Sequence, residues 1–244
     1  MFLLTNDDGI DAPGLAALEA AVLGLGPASV VAPASAYSGC GHVVTTHGAI
    51  AYEGRGDGRT AVHGTPADCV RLALHGLTRG VTWILSGINS GGNLGADIHH
   101  SGTVAAVREG VLHGIPGVAF SHYLVRGRTV DWEQASRWTA LVLQTLRSRP
   151  PAPGSFWNVN FPHPASLDPE QSIPEIVFCE ADPSPLPLDY LIDEGKAFYR
   201  GDYHTRQRRP GLDVDVCFGG RIAISNVLAL GAGPDTTDRD GARD

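Results

Sequence analysis

Apolar residues in this chain fall into short runs without charge, separated by stretches with helical spacing. The first run, Met1-Phe2-Leu3-Leu4, marks a strand buried on both faces, as in a parallel sheet. It ends in Asn6-Asp7-Asp8-Gly9, where turn-forming chemistry takes over. Leu15, Leu18, Ala21, Val22 and Leu25 then predict a helix over 13–25, with Gly24 and Gly26 near its end. A second strand follows at Ala28-Ser29-Val30-Val31-Ala32-Pro33. Strand, helix and strand at this spacing make a βαβ unit with a right-handed crossover and parallel strands.

The pattern continues past the loop 34–42. Residues 43–62 alternate enough to predict an antiparallel excursion turning at 54–58. Thr65, Pro66 and Asp68 fit the cap, first and third positions of a helix whose apolar face is Val70, Leu72, Ala73, Leu74 and Leu77. A buried strand over 81–86 runs into a loop, 87–97, with four glycines and two asparagines, so its backbone must come close to something. Ser101-Gly102-Thr103 opens the next helix, and a strand follows at 115–120. The longest helix is predicted over 131–149 with Asp131 as N-cap, stopped by Pro150-Pro151-Ala152-Pro153. Residues 155–161 read as a strand with Asn158 and Asn160 interleaved. Beyond Pro162 order weakens: 176–179 and 222–230 read as strands, and 183–215 as an irregular, aromatic arm suited to packing on a partner subunit. The division expected is an α/β core over 1–165, a β-rich arm over 166–232 and a polar, disordered tail over 233–244.

Composition narrows the classes. An apolar fraction of 43% with 18% charged residues is globular, not disordered. The formal net charge of −8 argues against a general affinity for nucleic-acid polymers or anionic membranes. Cys40, Cys69, Cys179 and Cys217 are scattered without CxxC spacing, which suits free thiols in a reducing cytosol. No apolar run approaches the ~18 residues of a membrane span, and the N-terminus lacks the pattern of a signal peptide. A cytoplasmic protein is expected.

Candidate chemistry gathers at strand ends, where ligands sit in open α/β sheets. Asp7 and Asp8 can converge if Gly9 permits a sharp bend. Two converging carboxylates repel unless a cation or shared proton offsets them. They read either as a metal site or as a turn with one Asp capping the next helix and the other solvated. Ser38-Gly39 leaves the same sheet edge, and read alone it is a turn. Asp68 is sufficiently explained as a charge on its helix dipole. Ser101-Gly102-Thr103 offers free N–H groups and hydroxyls to a phosphate, or serves as an ordinary N-cap. His99 and His100 lack a third ligand at metal spacing, and each is read as surface loop before acid or phosphate partner.

Taken together, Asn6-Asp7-Asp8-Gly9, Ser38-Gly39, Gly64-Thr65-Pro66-Ala67-Asp68-Cys69, Ser86-Gly87-Ile88-Asn89 with Gly91 and Asn93, and Ser101-Gly102-Thr103 occur in one order. This ordered set, dense over residues 1–122, resembles the SurE family of metal-dependent survival-protein phosphatases, 5′/3′-nucleotidases acting on nucleoside monophosphates. The resemblance implies a Rossmann-like three-layer α/β core with a mostly parallel sheet and a C-terminal extended arm. It implies one divalent cation per subunit, Mg²⁺ or Mn²⁺ (Ca²⁺ in a crystal), held by Asp7, Asp8, Ser38 and Asn89. It places Asp7, Asp8 and Asn6 in catalysis and Asn93, Ser101, Gly102 and Thr103 around the substrate phosphate. It also implies a homodimer or homotetramer with exchanged arms.

Such an all-oxygen donor set suits a hard cation better than Zn²⁺. A metal-activated water is the expected nucleophile. A phospho-aspartyl intermediate at Asp7 or Asp8 is the alternative, and a metal-bound carboxylate is the poorer nucleophile. Departures from the family pattern are Tyr37 before Ser38-Gly39, His100 before Ser101, Gly211-Leu212-Asp213, and the run Gly220-Arg221-Ile222-Ala223-Ile224-Ser225-Asn226-Val227. They bear on the arm and not on the metal set. The rival functions are a phosphatase of other small phosphates or polyphosphate, and a non-catalytic metal- or nucleotide-binding protein.

Overall fold

The computed structural model describes residues 1–163 and 173–231. At its centre is β1 (Phe2–Thr5), buried along its length. The period-two alternation of a strand sends Leu4 into one apolar layer and Leu3 into the other. Leu4 packs with Leu15 and Leu18 of α1 (Pro13–Val22). The helix ends before the expected residue 25 because Gly24 and Gly26 take positive φ, 80° and 153°. β2 (Ala28–Pro33) returns parallel to β1. β3 (Tyr52–Gly56) and β4 (Arg59–Val62) form the expected antiparallel hairpin, and Asp57 and Gly58 at its turn both have positive φ.

α2 (Pro66–Leu72) starts with a capping box. Thr65 Oγ1 accepts from Asp68 N at 3.1 Å, and Asp68 Oδ2 accepts from Thr65 N at 3.0 Å. β5 (Trp83–Ser90) runs past residue 86, where a loop was expected. It does so through Gly87, whose φ is +132° and where a Cβ would sit 2.3 Å from the Phe120 carbonyl oxygen. α3 (Gly102–Leu112) is capped by Ser101. β6 (Gly117–His122) begins two residues later than expected, since Ile115 N still donates to Gly110 O in the helix's closing turn. α4 (Trp132–Arg147) is capped by Asp131, and β7 (Ser155–Phe161) is wholly buried.

β8 (Ile176–Phe178) comes next, then a separate two-stranded hairpin of β9 (Tyr190–Asp193) and β10 (Lys196–Tyr199). α5 (Asp213–Phe218) and β11 (Ile222–Leu228) close the described chain. The stretch 183–215, expected to be irregular, thus holds a hairpin and the start of a helix. β11 pairs with β7 and β8, so two strands expected in the arm extend the core's own sheet. The expected division at 165 and the tail over 233–244 lie outside the described residues.

The main sheet has nine strands among the described residues, in the order β3-β4-β2-β1-β5-β6-β7-β11-β8, parallel except at β3/β4 and β7/β11. α1 and α4 cover one face, and α2 and α3 the other. This is a Rossmann-like α/β fold. From β1 the chain proceeds outward through β2 on one side and through β5 on the other, so the order reverses between β1 and β5. A crevice at such a reversal, beyond the carboxyl ends of the strands, is where this architecture accommodates ligands.

Asp68 also accepts from Thr45 N at 2.9 Å and Thr45 Oγ1 at 2.7 Å, pinning the segment before β3 to α2. Replacing it leaves three donors unmet, the buried Thr65 N among them. Asp68→Ala is expected to lower the unfolding free energy by about 3 kcal/mol in urea titration, and Asp68→Asn to cost about half of that.

Candidate active site

Asp7 and Asp8 leave the carboxyl end of β1 at the reversal point. The bend is braced from within: Asn6 Nδ2 donates to Gly9 O at 2.8 Å, and Gly9 N donates to Asn6 Oδ1 at 3.2 Å. Asn6 is buried, and these two bonds commit its side chain to the turn. Gly9 has φ +105°, a conformation that a side chain would strain. The two carboxylates then diverge in environment. Asp7 is 4% exposed and turns toward α3, where its Oδ1 accepts from Thr103 Oγ1 at 2.5 Å. Asp8 is half-buried, and its Oδ2 accepts from Ser90 N at 3.4 Å.

Three further segments meet this bend. Tyr37 N donates to Asp7 O at 2.7 Å, which sets the loop carrying Ser38 against the end of β1. Ser38 is exposed, and its hydroxyl makes no hydrogen bond among the described residues. Asn89 lies at the end of β5, where its Nδ2 donates to Gly91 O at 2.9 Å and leaves Oδ1 uncommitted. The start of α3 closes the fourth side. A Cβ on Gly102 would come within 2.8 Å of Asp7 Oδ2 and 3.0 Å of Cys40 Sγ, so only glycine lets the helix approach this closely. Ser101 Oγ accepts from Val104 N, while the Gly102 amide N–H donates to no acceptor among the described residues.

Asn93 is buried and tied to β6 and β7. Its backbone N donates to Asn160 Oδ1, its carbonyl accepts from Asn158 and Asn160 Nδ2, and its own Nδ2 donates to Ser121 Oγ at 2.8 Å. The interleaved asparagines of β7 point to one face and hold the glycine-rich loop down. His100 is exposed, with Nε2 3.9 Å from Asp97. Sequence reasoning missed Ser90, which acts through its backbone N–H, and Cys40, whose approach to Asp7 has no sequence signal. It also missed a cavity of about 600 Å³ that opens beside Asp8 and Ser90.

The electrostatics follow from burial. Desolvation pushes the Asp7 carboxyl up to about 6; the Thr103 hydrogen bond opposes this and the Asp8 charge adds to it. Desolvation also raises Asp8, opposed by the Ser90 N–H. Among the described residues no three His, Cys, Asp or Glu side chains gather into a metal cluster. A cation here would rest on the two carboxylates together with the neutral oxygens of Ser38 and Asn89. Such a set fits a hard divalent ion.

A carboxyl that titrates near 6 when folded and near 3.8 when unfolded costs stability as the pH rises between those values. The cost is full above pH 6 and absent below 3.8. In chelator-treated protein, Asp7→Asn is therefore expected to raise stability by about 3 kcal/mol at pH 8. Thermal melts at pH 8 and pH 4 check this, with the advantage gone at the lower pH.

Comparison with known proteins bears on the family and the fold. The family described as Survival protein SurE matches residues 2–182. A relative from Nostoc sp. is 53% identical over 92% of this chain and 98% of its own length. The Thermus thermophilus protein named 5′-nucleotidase SurE 1 is 43% identical over 66% of this chain and 65% of its own. The crystal structure of the SurE protein from Aquifex aeolicus superposes with a TM-score of 0.82 at 30% identity, covering 95% of this chain and 94% of that one.

Proposed function

The chain belongs to the SurE family, and we propose that it is a divalent-metal-dependent phosphomonoesterase that hydrolyses nucleoside 5′- and 3′-monophosphates to nucleoside and phosphate. The observation that carries this reading is the pressing of α3's N-terminus onto Asp7, at the sheet's reversal point beside Asp8. Relatives named 5′-nucleotidase support the reaction class.

In this reading Asp7 and Asp8 hold Mg²⁺ or Mn²⁺, one per chain, with Ser38 and Asn89 completing the donor set. When bound, the cation neutralises phosphoryl oxygens and acidifies water at the site. The chain's own residues position the rest. Thr103 fixes the Asp7 carboxylate, and Asn6 holds the bend that keeps Asp7 and Asp8 together. The free Gly102 N–H and the positive end of α3 attract the phosphate, with Ser101 and Thr103 flanking it. Asn93, tied to Asn158 and Asn160, keeps the loop between β5 and α3 in place.

Two further features bear on the setting. The β9–β10 hairpin exposes Leu191, Ile192 and Phe198, which supports association of two or four copies through this arm. The four cysteines form no disulfide, and no helix among the described residues is long and apolar enough to cross a membrane, in keeping with a cytoplasmic enzyme.

Phosphate release from nucleoside 5′- and 3′-monophosphates with Mg²⁺ or Mn²⁺, and with EDTA, tests the proposal. Activity is expected to vanish with the chelator and to fall by at least ~100-fold in Asp8→Asn. Unchanged turnover in Asp8→Asn, or full activity in EDTA, would contradict it.

A further inference from the structure

Building on the phosphomonoesterase reading, we propose that the cavity beside Asp8 receives the substrate's leaving group and is shaped for a flat aromatic base stacked on Trp132. The cavity is lined by Asp8, Gly9 and Ser90, so a molecule inside it adjoins the carboxylates. Its volume of about 600 Å³ is in the range of small-molecule sites. The walls are apolar: Ile10 and Pro13 lead into α1, Ala34 follows β2, and Leu124, Val130 and Trp132 belong to the approach to α4.

The charge of the lining decides which part of a substrate belongs there. Arg128 is the one cation, opposed by Asp8 and Asp11. A polyphosphate chain would meet two carboxylates and too little positive charge. An uncharged heterocycle meets apolar walls and one aromatic plane. A small alcohol such as glycerol would neither fill the space nor stack.

Trp132 is held for this role from two sides. It is half-buried at the first position of α4, packed against the core that α4 shares with α1. Its Cζ3 lies 3.0 Å from the point where a Cβ on Gly14 would sit, so the glycine lets α1 close up to the ring. No hydrogen bond engages its indole N–H among the described residues, leaving a donor for a base edge. Ser35 and Ser90 supply further polar contacts at the cavity's margin.

The test compares wild type with Trp132→Leu, which keeps an apolar filler without a π-face, and with Trp132→Phe, which keeps a ring. Adenosine is titrated in EDTA by calorimetry or saturation-transfer NMR. Kinetics are then measured on AMP and on β-glycerophosphate with Mn²⁺. Stacking on this scale predicts that Trp132→Leu weakens adenosine binding and raises KM for AMP by about 10-fold or more, with kcat little changed. Activity on β-glycerophosphate should stay within about twofold, and Trp132→Phe should retain most of the wild-type affinity. Adenosine binding and AMP KM unchanged in Trp132→Leu, or an equal loss on both esters, would overturn the assignment. Adenosine binding that depends on Trp132, with no phosphate released from either ester by wild type, would support the cavity and refute the activity.

Discussion

Two carboxylates forced together at the end of a buried strand are the constraint around which this molecule is arranged. Leu3 and Leu4 bury β1 on both faces, so the chain can turn only beyond Thr5. The turn it makes, braced by Asn6 and Gly9, brings Asp7 and Asp8 out side by side. Burial without a counter-charge is unfavourable for both, and it pushes the Asp7 carboxyl up. The neighbouring elements act on that cost. Thr103 hydrogen-bonds Asp7, the dipole of α3 points its positive end there, and Ser90 N–H meets Asp8.

Topology explains why these partners come from such distant parts of the chain. Since the strand order reverses between β1 and β5, the loops after β1, β2 and β5 open onto one crevice. Glycines then set the spacing. Gly87 lets β5 lie against the Phe120 carbonyl and reach Ser90, and Gly102 lets α3 close onto Asp7. A site formed this way is asymmetric: Asp7 faces the helix N-terminus on the α2/α3 side, and Asp8 borders the apolar cavity on the α1/α4 side. That asymmetry suits a substrate with an anionic end and an aromatic end.

Much of this was legible in the residues. The caps Thr65, Ser101 and Asp131 all act at the predicted helix starts, because a short polar side chain before an apolar face has few other uses. β1, β2 and β7 form where strands were predicted, β1 from its apolar run and β7 from apolar residues interleaved with Asn158 and Asn160. What escaped was set by tertiary contacts. Nothing local tells that β5 continues past Gly87, where the backbone lies against the Phe120 carbonyl. The helix at Asp213 is short. Its first residue is occupied across the fold, accepting from Gly95 N and Asp182 N, contacts that no spacing predicts. The candidate site residues rest on family resemblance, whereas the commitment of Asn6 to the turn and of Asn93 to Asn158, Asn160 and Ser121 is seen only in the folded chain.

The most direct measurement is the anomalous scattering of crystals soaked in Mn²⁺. A single ion per chain is predicted, within about 2.3 Å of oxygens from Asp7, Asp8, Ser38 and Asn89. Manganese bound elsewhere, or held by the two aspartates while Ser38 and Asn89 remain out of reach, would contradict the account.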